Sequence, residues 1–204
     1  MPKDKTVSHE KIISAARKEF LDRGFEDASM RRIAADAGLT VSALYKHFPG
    51  KEEMFAALVQ PAIDEFMALY HQTEEEEFSA VDQLEEGHIW EDKKETQMVM
   101  AFIYDHLDEF VLIVTKSRGT AYASFIHEIV RMEEETTLCY MDVLRERGIP
   151  VKEVDRQEFH LLVTANINAI FEAVRHNFTR EEAMHYAKTL EDFWSQGWKQ
   201  YFGY

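Results

Sequence analysis

Between Thr40 and His47 the chain sets Ser42, Tyr45 and Lys46, so that hydroxyls, a phenol, an ammonium and an imidazole crowd together, with Lys51 just beyond. All of these groups donate hydrogen bonds, and phosphate oxygens accept them readily. Val41 and Ala43 are interleaved with the donors and offer methyl groups to a thymine, while Ser42 serves several bases. No Asn or Gln is aimed at adenine, so the stretch holds no single decisive base reader.

Such a set works only if one helix holds it on one side. Thr40 is placed to cap that helix, Leu44 and Phe48 recur at its inward spacing, and Pro49-Gly50 stops it before another helix begins at Lys51. Upstream, Ser29 is placed to cap a short helix with Ile33, Ala34 and Ala37 inward and Arg31, Arg32 and Asp36 outward. Gly38 closes it, and two short helices joined by a glycine turn form a helix-turn-helix. Ala34, Ala37 and Gly38 are small enough for the two to cross closely. A longer helix comes first, with Ser8 as its cap, Val7 and Ile12 as a hydrophobic staple, and Ile12, Ile13, Ala16, Phe20 and Leu21 as its apolar face. A left-handed Gly24 should end it and fold Phe25 back toward Phe20. The plainer alternative is a structural helix pair whose Tyr45 and His47 only cover the core; it does not require the donors to share the outer face with the turn glycine.

A net charge of −15 argues against a polyanionic partner. The distribution reverses the inference for the first part: residues 1–51 hold 10 basic and 7 acidic side chains, residues 52–204 hold 13 and 31. A mildly basic head on an acidic body suggests two functional parts. So small a surplus gives few phosphate contacts per copy, so useful affinity requires two copies on one operator.

Phe20, Gly24, Phe25, Ser29, Arg31, Ile33, Ala34, Ala37, Gly38, Leu39 and Thr40, then Leu44, Tyr45, His47, Phe48, Lys51 and Glu52, form a long ordered motif over residues 8–55. The stretch closely resembles the DNA-binding domain of TetR-family (tetracycline-repressor-like) transcriptional regulators. That resemblance implies a third helix in the major groove of double-stranded DNA, with Tyr45, His47 and Lys51 on the backbone. Ser29, Arg31, Thr40, Val41, Ser42, Ala43 and Lys46 complete the expected contact set. Ser42 departs from a position where glycine is frequent, and Val41 from one where a polar residue is frequent, which leaves the operator sequence open.

Beyond Lys51 the apolar pattern Met54, Phe55, Leu58, Ile63, Phe66, Met67, Tyr70 predicts a helix to about Glu77, kinked or interrupted at Pro61. Residues 78–94 read as weak helix or loop. Apolar-periodic stretches follow at 95–115 and 119–147, the second stopped by Gly148 and Pro150. Asp155 with Glu158, and Thr179 with Glu182, start the last two helices as capping boxes. Their wide apolar faces predict a four-helix interface between two chains, which the TetR resemblance also implies, through Phe159, Leu162, Val163, Ile170, Leu190, Phe193, Trp194, Gly197 and Trp198. Gly197 inside a helix suggests close helix approach. The alternative is that both faces fill the chain's own core.

The resemblance further implies an effector cavity among the middle helices. Phe66, Met67, Tyr70, Met98, Phe102 and Met132 would wall it and His127, Asn166 and Asn168 supply polar contacts, which favours a small, largely apolar effector. No phosphate loop, G-x-S-x-G elbow or H-E-x-x-H pair is present, so no catalytic residue and no cofactor is expected. His71 and Glu75 have helical spacing, but one pair is not a metal site. No apolar run approaches the length of about 20 residues that a bilayer requires. The start lacks a secretion signal and the single Cys139, expected as a small apolar side chain, forms no internal disulfide, so a cytoplasmic location is expected. The expected architecture is all-α: a three-helix helix-turn-helix domain over residues 1–50 and a larger helical effector-binding and dimerisation domain over residues 51–204. The expected function is a ligand-responsive, homodimeric transcriptional regulator, most often a repressor in the family it resembles. The alternatives are a small-molecule-binding protein or a helical interaction module that retains the helix-turn-helix only as structure.

Overall fold

The computed structural model describes residues 3–81 and 94–203, with side chains from Ser8 onward. Among the described residues there are nine α-helices and no strand: α1 (Lys3–Asp27), α2 (Met30–Asp36), α3 (Val41–Tyr45), α4 (Lys51–Ala80), α5 (Glu95–Asp105), α6 (Leu107–Val111), α7 (Phe125–Glu146), α8 (Arg156–Arg175) and α9 (Arg180–Phe202). A π-helical turn (Leu112–Lys116) and a 3-10 turn (Ala121–Ser124) join α6 to α7. By internal contacts the chain divides into two compact units, Met1–Glu65 with His106–Phe125, and Phe66–Asp105 with Ile126–Tyr204.

The first unit is built round an aromatic cluster. Gly24 breaks the helical path of α1 at φ 75° and ψ 169°, a conformation that an L side chain resists, and Phe25 swings back to stack on Phe20 at 6.1 Å between centroids. Phe55 of α4 meets both edge-on, at 5.2 and 5.6 Å, and Tyr122 lies 5.9 Å beyond it. The π-helical turn packs on α1, and Arg17 of α1 holds Glu109 of α6 at 2.5 Å. Ile12, Ala16, Ile33, Ala34, Leu44 and Met54 complete a dry core.

The second unit packs α5 along α9 and α8 against α9. The buried alanines Ala183 and Ala187 allow the approach on α9, while Phe171, Ala173 and Val174 of α8 and Met100 and Ile103 of α5 fill the interior. Tyr104 ties the end of α5 to the turn between α8 and α9 by donating to the carbonyl of Phe178 at 2.9 Å. Thr179 and Glu182 form the reciprocal capping box at the start of α9, and Asp155 caps α8 by accepting from the amides of Gln157 and Glu158.

Several local expectations need correction. Helix α1 already begins at Lys3, so Ser8 lies inside it rather than capping it. Pro61 does not interrupt α4, which continues to Ala80; a proline costs one backbone bond, and the flanking apolar burial at Leu58, Val59, Ala62 and Ile63 holds the helix together. Cys139 is exposed on α7 rather than packed. The expected loop from 78 to 94 lies mostly outside the described residues, apart from Phe78–Val81 and Lys94.

Candidate functional site

Helix α3 is short because Thr40 starts it and the backbone stops it almost at once. The Thr40 hydroxyl accepts the Ala43 amide at 3.2 Å, and His47 and Phe48 close back on the Leu44 carbonyl. Leu44 and Phe48 are buried against the first-unit core, which turns the intervening positions outward. Ser42, Tyr45 and Lys46 are exposed, Tyr45 to 50%, while Val41, Ala43 and His47 are partly covered. Arg31 of α2 is exposed as well. Neither Arg31 nor Lys46 has a hydrogen bond or ion pair within the described residues, so both charges are available to an outside anion.

What orients this surface is a buried carboxylate that the sequence reading missed. Ser29 precedes α2 in extended conformation, yet its side chain makes no capping bond; its amide instead donates to Glu19 of α1 at 2.9 Å. Arg32 donates to the same oxygen at 2.7 Å and to the Asp27 carbonyl at 2.7 Å. Burial alone would raise the Glu19 carboxyl, but the Arg32 and Ser29 bonds outweigh it and hold the group below the usual carboxylate range. The result is a charged clamp fixing α2 on α1. The turn itself is made by Gly38 at φ 69°, with the Leu39 amide returning to Ala34 at 2.8 Å.

Lys51 occupies a different place from the free donors. Its ammonium donates to the carbonyls of Glu26 and Ala28 at 3.0 and 3.3 Å and lies 4.5 Å above the Phe25 ring. It ties the α1–α2 turn to α4, and of its three N–H groups one is left for a phosphate.

In the second unit a cavity of about 150 Å³ lies among α4, α5, α7 and α8. Of the residues expected to face an effector, Phe66, Tyr70, Met98 and Asn166 line it. Met67, Phe102, His127, Met132 and Asn168 do not: His127 is exposed, Phe102 packs on Phe66 at 5.8 Å from behind, and the Asn168 amide donates to its own helix at Thr164. The wall also holds Glu74, Glu133, Thr136, Thr137 and Tyr140, polar groups brought together by helix packing rather than by any sequence motif.

The expected dimer residues separate in the same way. Phe159, Val163, Ile170 and Leu190 are at most 8% exposed within one chain, so they pack in its own core. Helices α8 and α9 leave outward Leu161 and Phe193, 67% and 70% exposed, with Leu162, Trp194 and Trp198 half-covered. Among the described residues a side chain at Gly197 would meet nothing within 4 Å, so no described helix of the same chain approaches it closely.

Residues 12–58 match the family model described as bacterial regulatory proteins, tetR family. HTH-type transcriptional regulators from Staphylococcus aureus strains USA300 and COL are each 32% identical over 76 residues, which covers 37% of this chain and 41% of theirs. The chain thus spans about two fifths of the length of the curated relatives it matches. Over nearly its whole length the fold is similar to that of MexZ, described as a key repressor responsible for antibiotic resistance in Pseudomonas aeruginosa (TM-score 0.61, 13% identity, 96% of this chain and 95% of that). It is also similar to the TetR family regulator PfmR from Thermus thermophilus (0.55, 22%, 89% and 94%) and to FadR from Bacillus subtilis solved with stearoyl-CoA (0.53, 15%, 93% and 98%). The family model thus falls on the helix-turn-helix of residues 12–58, and the fold neighbours share the all-α architecture over the rest of the chain.

Proposed function

We propose that the protein is a ligand-responsive, dimeric repressor of the cytoplasm that grips operator DNA through α3. The observation that carries this reading is the unpaired charge of Arg31 and Lys46 beside the exposed Ser42 and Tyr45 on a clamped helix pair. Arg31, Ser29, Thr40, Tyr45, Lys46 and His47 hold phosphates, with Lys51 adding its remaining N–H; Val41, Ser42 and Ala43 face base edges. Two copies, joined through the outward Leu161, Leu162, Phe193, Trp194, Gly197 and Trp198, set their α3 helices in successive major grooves about 34 Å apart. The second-unit cavity takes a small, largely apolar effector. FadR, solved with stearoyl-CoA, supports an apolar ligand in a fold of this kind. Effector binding that favours a mis-spaced dimer lowers operator affinity, and a coupling of about 1–3 kcal/mol suffices.

The test is a mobility shift on DNA from beside the protein's own gene, repeated across salt concentrations. Specific binding that weakens steeply with salt is expected, and Tyr45→Phe, Lys46→Ala and His47→Ala should each weaken it. Binding that ignores all three variants would return α3 to a purely structural role. Lys51→Ala is less clean, because it also removes the tie between α1 and α4.

A further inference from the structure

The cavity in the second unit is apolar over most of its wall, through Phe66, Leu69, Ile129, Ile167 and Phe171. Into that wall α7 sets Glu133, with Glu74 close by on α4. Glu133 accepts from the Tyr70 hydroxyl at 3.3 Å and from the Thr137 hydroxyl at 3.4 Å, both beyond the usual range for such bonds. A carboxylate has room for about four donors. Glu74 accepts from Thr136 at 3.1 Å and meets His71 on its exposed side at 3.2 Å. Among the described residues, no lysine, arginine or histidine lines this cavity.

A second cavity, about 470 Å³, adjoins the first and shares Glu133, Glu95, Thr96, Thr137 and Asn166 with it. Glu133 therefore stands where the two meet, and the partial surface it keeps is turned to them. Trp194 and Trp198 stack at 5.7 Å and line the second cavity, along with Glu191, Asp192 and Lys199. Lys199 makes no ion pair with Glu133. Burial, then the charge of Glu77 and that of Glu74, raise the Glu133 carboxyl, against the lowering effect of the Tyr70 and Thr137 bonds. Burial first and the Glu133 charge second keep the Tyr70 phenol protonated.

A half-buried carboxylate with two long hydroxyl bonds and no cation beside it among the described residues is stabilised most by an incoming positive charge. Aromatic faces at Phe66, Tyr70 and Tyr140 add attraction for a weakly hydrated cation, and an anionic ligand would meet Glu74 and Glu133 at close range. We propose that the effector is a small organic cation, its apolar part among the cavity's aromatic and aliphatic side chains and its charged head against Glu133. This inference rests on the cavity being the effector site, and it changes the effector from simply apolar to apolar with a positive head.

Benzyltrimethylammonium and neopentylbenzene have the same shape and differ in one charge. Calorimetric titration of both into the full chain should show the cation binding more tightly by about tenfold or more, as an ion-paired charge over aromatic faces warrants. Glu133→Gln should abolish that preference while leaving the neutral probe's affinity unchanged. Equal affinity for the two probes, or a preference that survives Glu133→Gln, overturns the cationic effector and leaves the cavity assignment standing. Binding of neither overturns both, whereas the DNA-binding reading stands or falls separately on the mobility shift. The two-probe comparison in the unmutated protein decides the matter even if the Gln variant folds poorly.

Discussion

In the first unit Glu19 is enclosed with an arginine and a backbone amide directed at one of its oxygens; in the second, Glu133 is enclosed with two distant hydroxyls and a void. The first carboxyl is shifted below its ordinary value and the second above it. The difference bears on the proposed division of labour. A surface proposed to meet a rigid double helix is stabilised by a satisfied charge and a filled core. A chamber proposed to accept a guest retains an unfilled volume and a poorly satisfied carboxyl.

The comparison can be broken first at the cores. Phe55→Ala should cost about 3–5 kcal/mol in urea unfolding, because Phe55 is fully enclosed by Phe20, Phe25 and Tyr122. Phe66→Ala should cost clearly less, since one side of Phe66 already faces a void and has fewer contacts to lose. Equal losses would mean the second unit is as tightly filled as the first.

Glu19→Ala should cost about 1–3 kcal/mol by leaving the Ser29 amide and Arg32 without their acceptor. Because the Glu19 carboxyl is lowered on folding, its contribution is complete above the ordinary value of 4.5 and is lost as pH falls through the lowered one. Glu133 has the opposite sign. Its carboxyl is raised, so the folded state binds the proton more tightly and stability declines as pH rises from 4.5 toward the raised value. Glu133→Gln should therefore stabilise the ligand-free protein above that value, seen as a flatter pH profile of thermal melting. A decline in stability at every pH would show that Glu133 is better satisfied than its contacts indicate.

Two smaller effects sharpen the account of the reading surface. Thr40→Ala should cost about 1 kcal/mol by removing the α3 cap, measured in the same urea titration. Lys46→Ala should leave stability unchanged and reduce the slope of log affinity against log salt by about 1.

The helix-turn-helix was legible because its determinants are neighbours in sequence: Gly24, Ser29, Gly38 and Thr40 mark turns and caps at fixed offsets, and Leu44 and Phe48 show which side goes inward. Even there, Ser29 acts through its amide rather than its hydroxyl, because Glu19 reaches it from another helix. The cavity was legible only in part. Phe66, Tyr70, Met98 and Asn166 were expected from residue type, whereas Glu133, Thr136 and Thr137 sit on the polar side of an amphipathic pattern that reads as solvated. Only the packing of α7 against its neighbours turns that side inward. On α8 and α9 periodicity marks apolar faces but does not say whether they are covered by the same chain or by another; Phe159 and Leu190 went to the core, Phe193 outward.

The segment His106–Phe125 joins the first unit although some forty residues of the second precede it in the chain. On the ribosome, where synthesis runs at about 5–20 residues per second and domains fold as they emerge, α1 to α3 therefore wait. Arg17 has no Glu109, and Phe55 no Tyr122, until the nascent chain has grown past those later residues. A truncated product ending soon after α4 would present α2 and α3 on an unfinished foundation, so premature termination should yield a degraded fragment rather than a stable one.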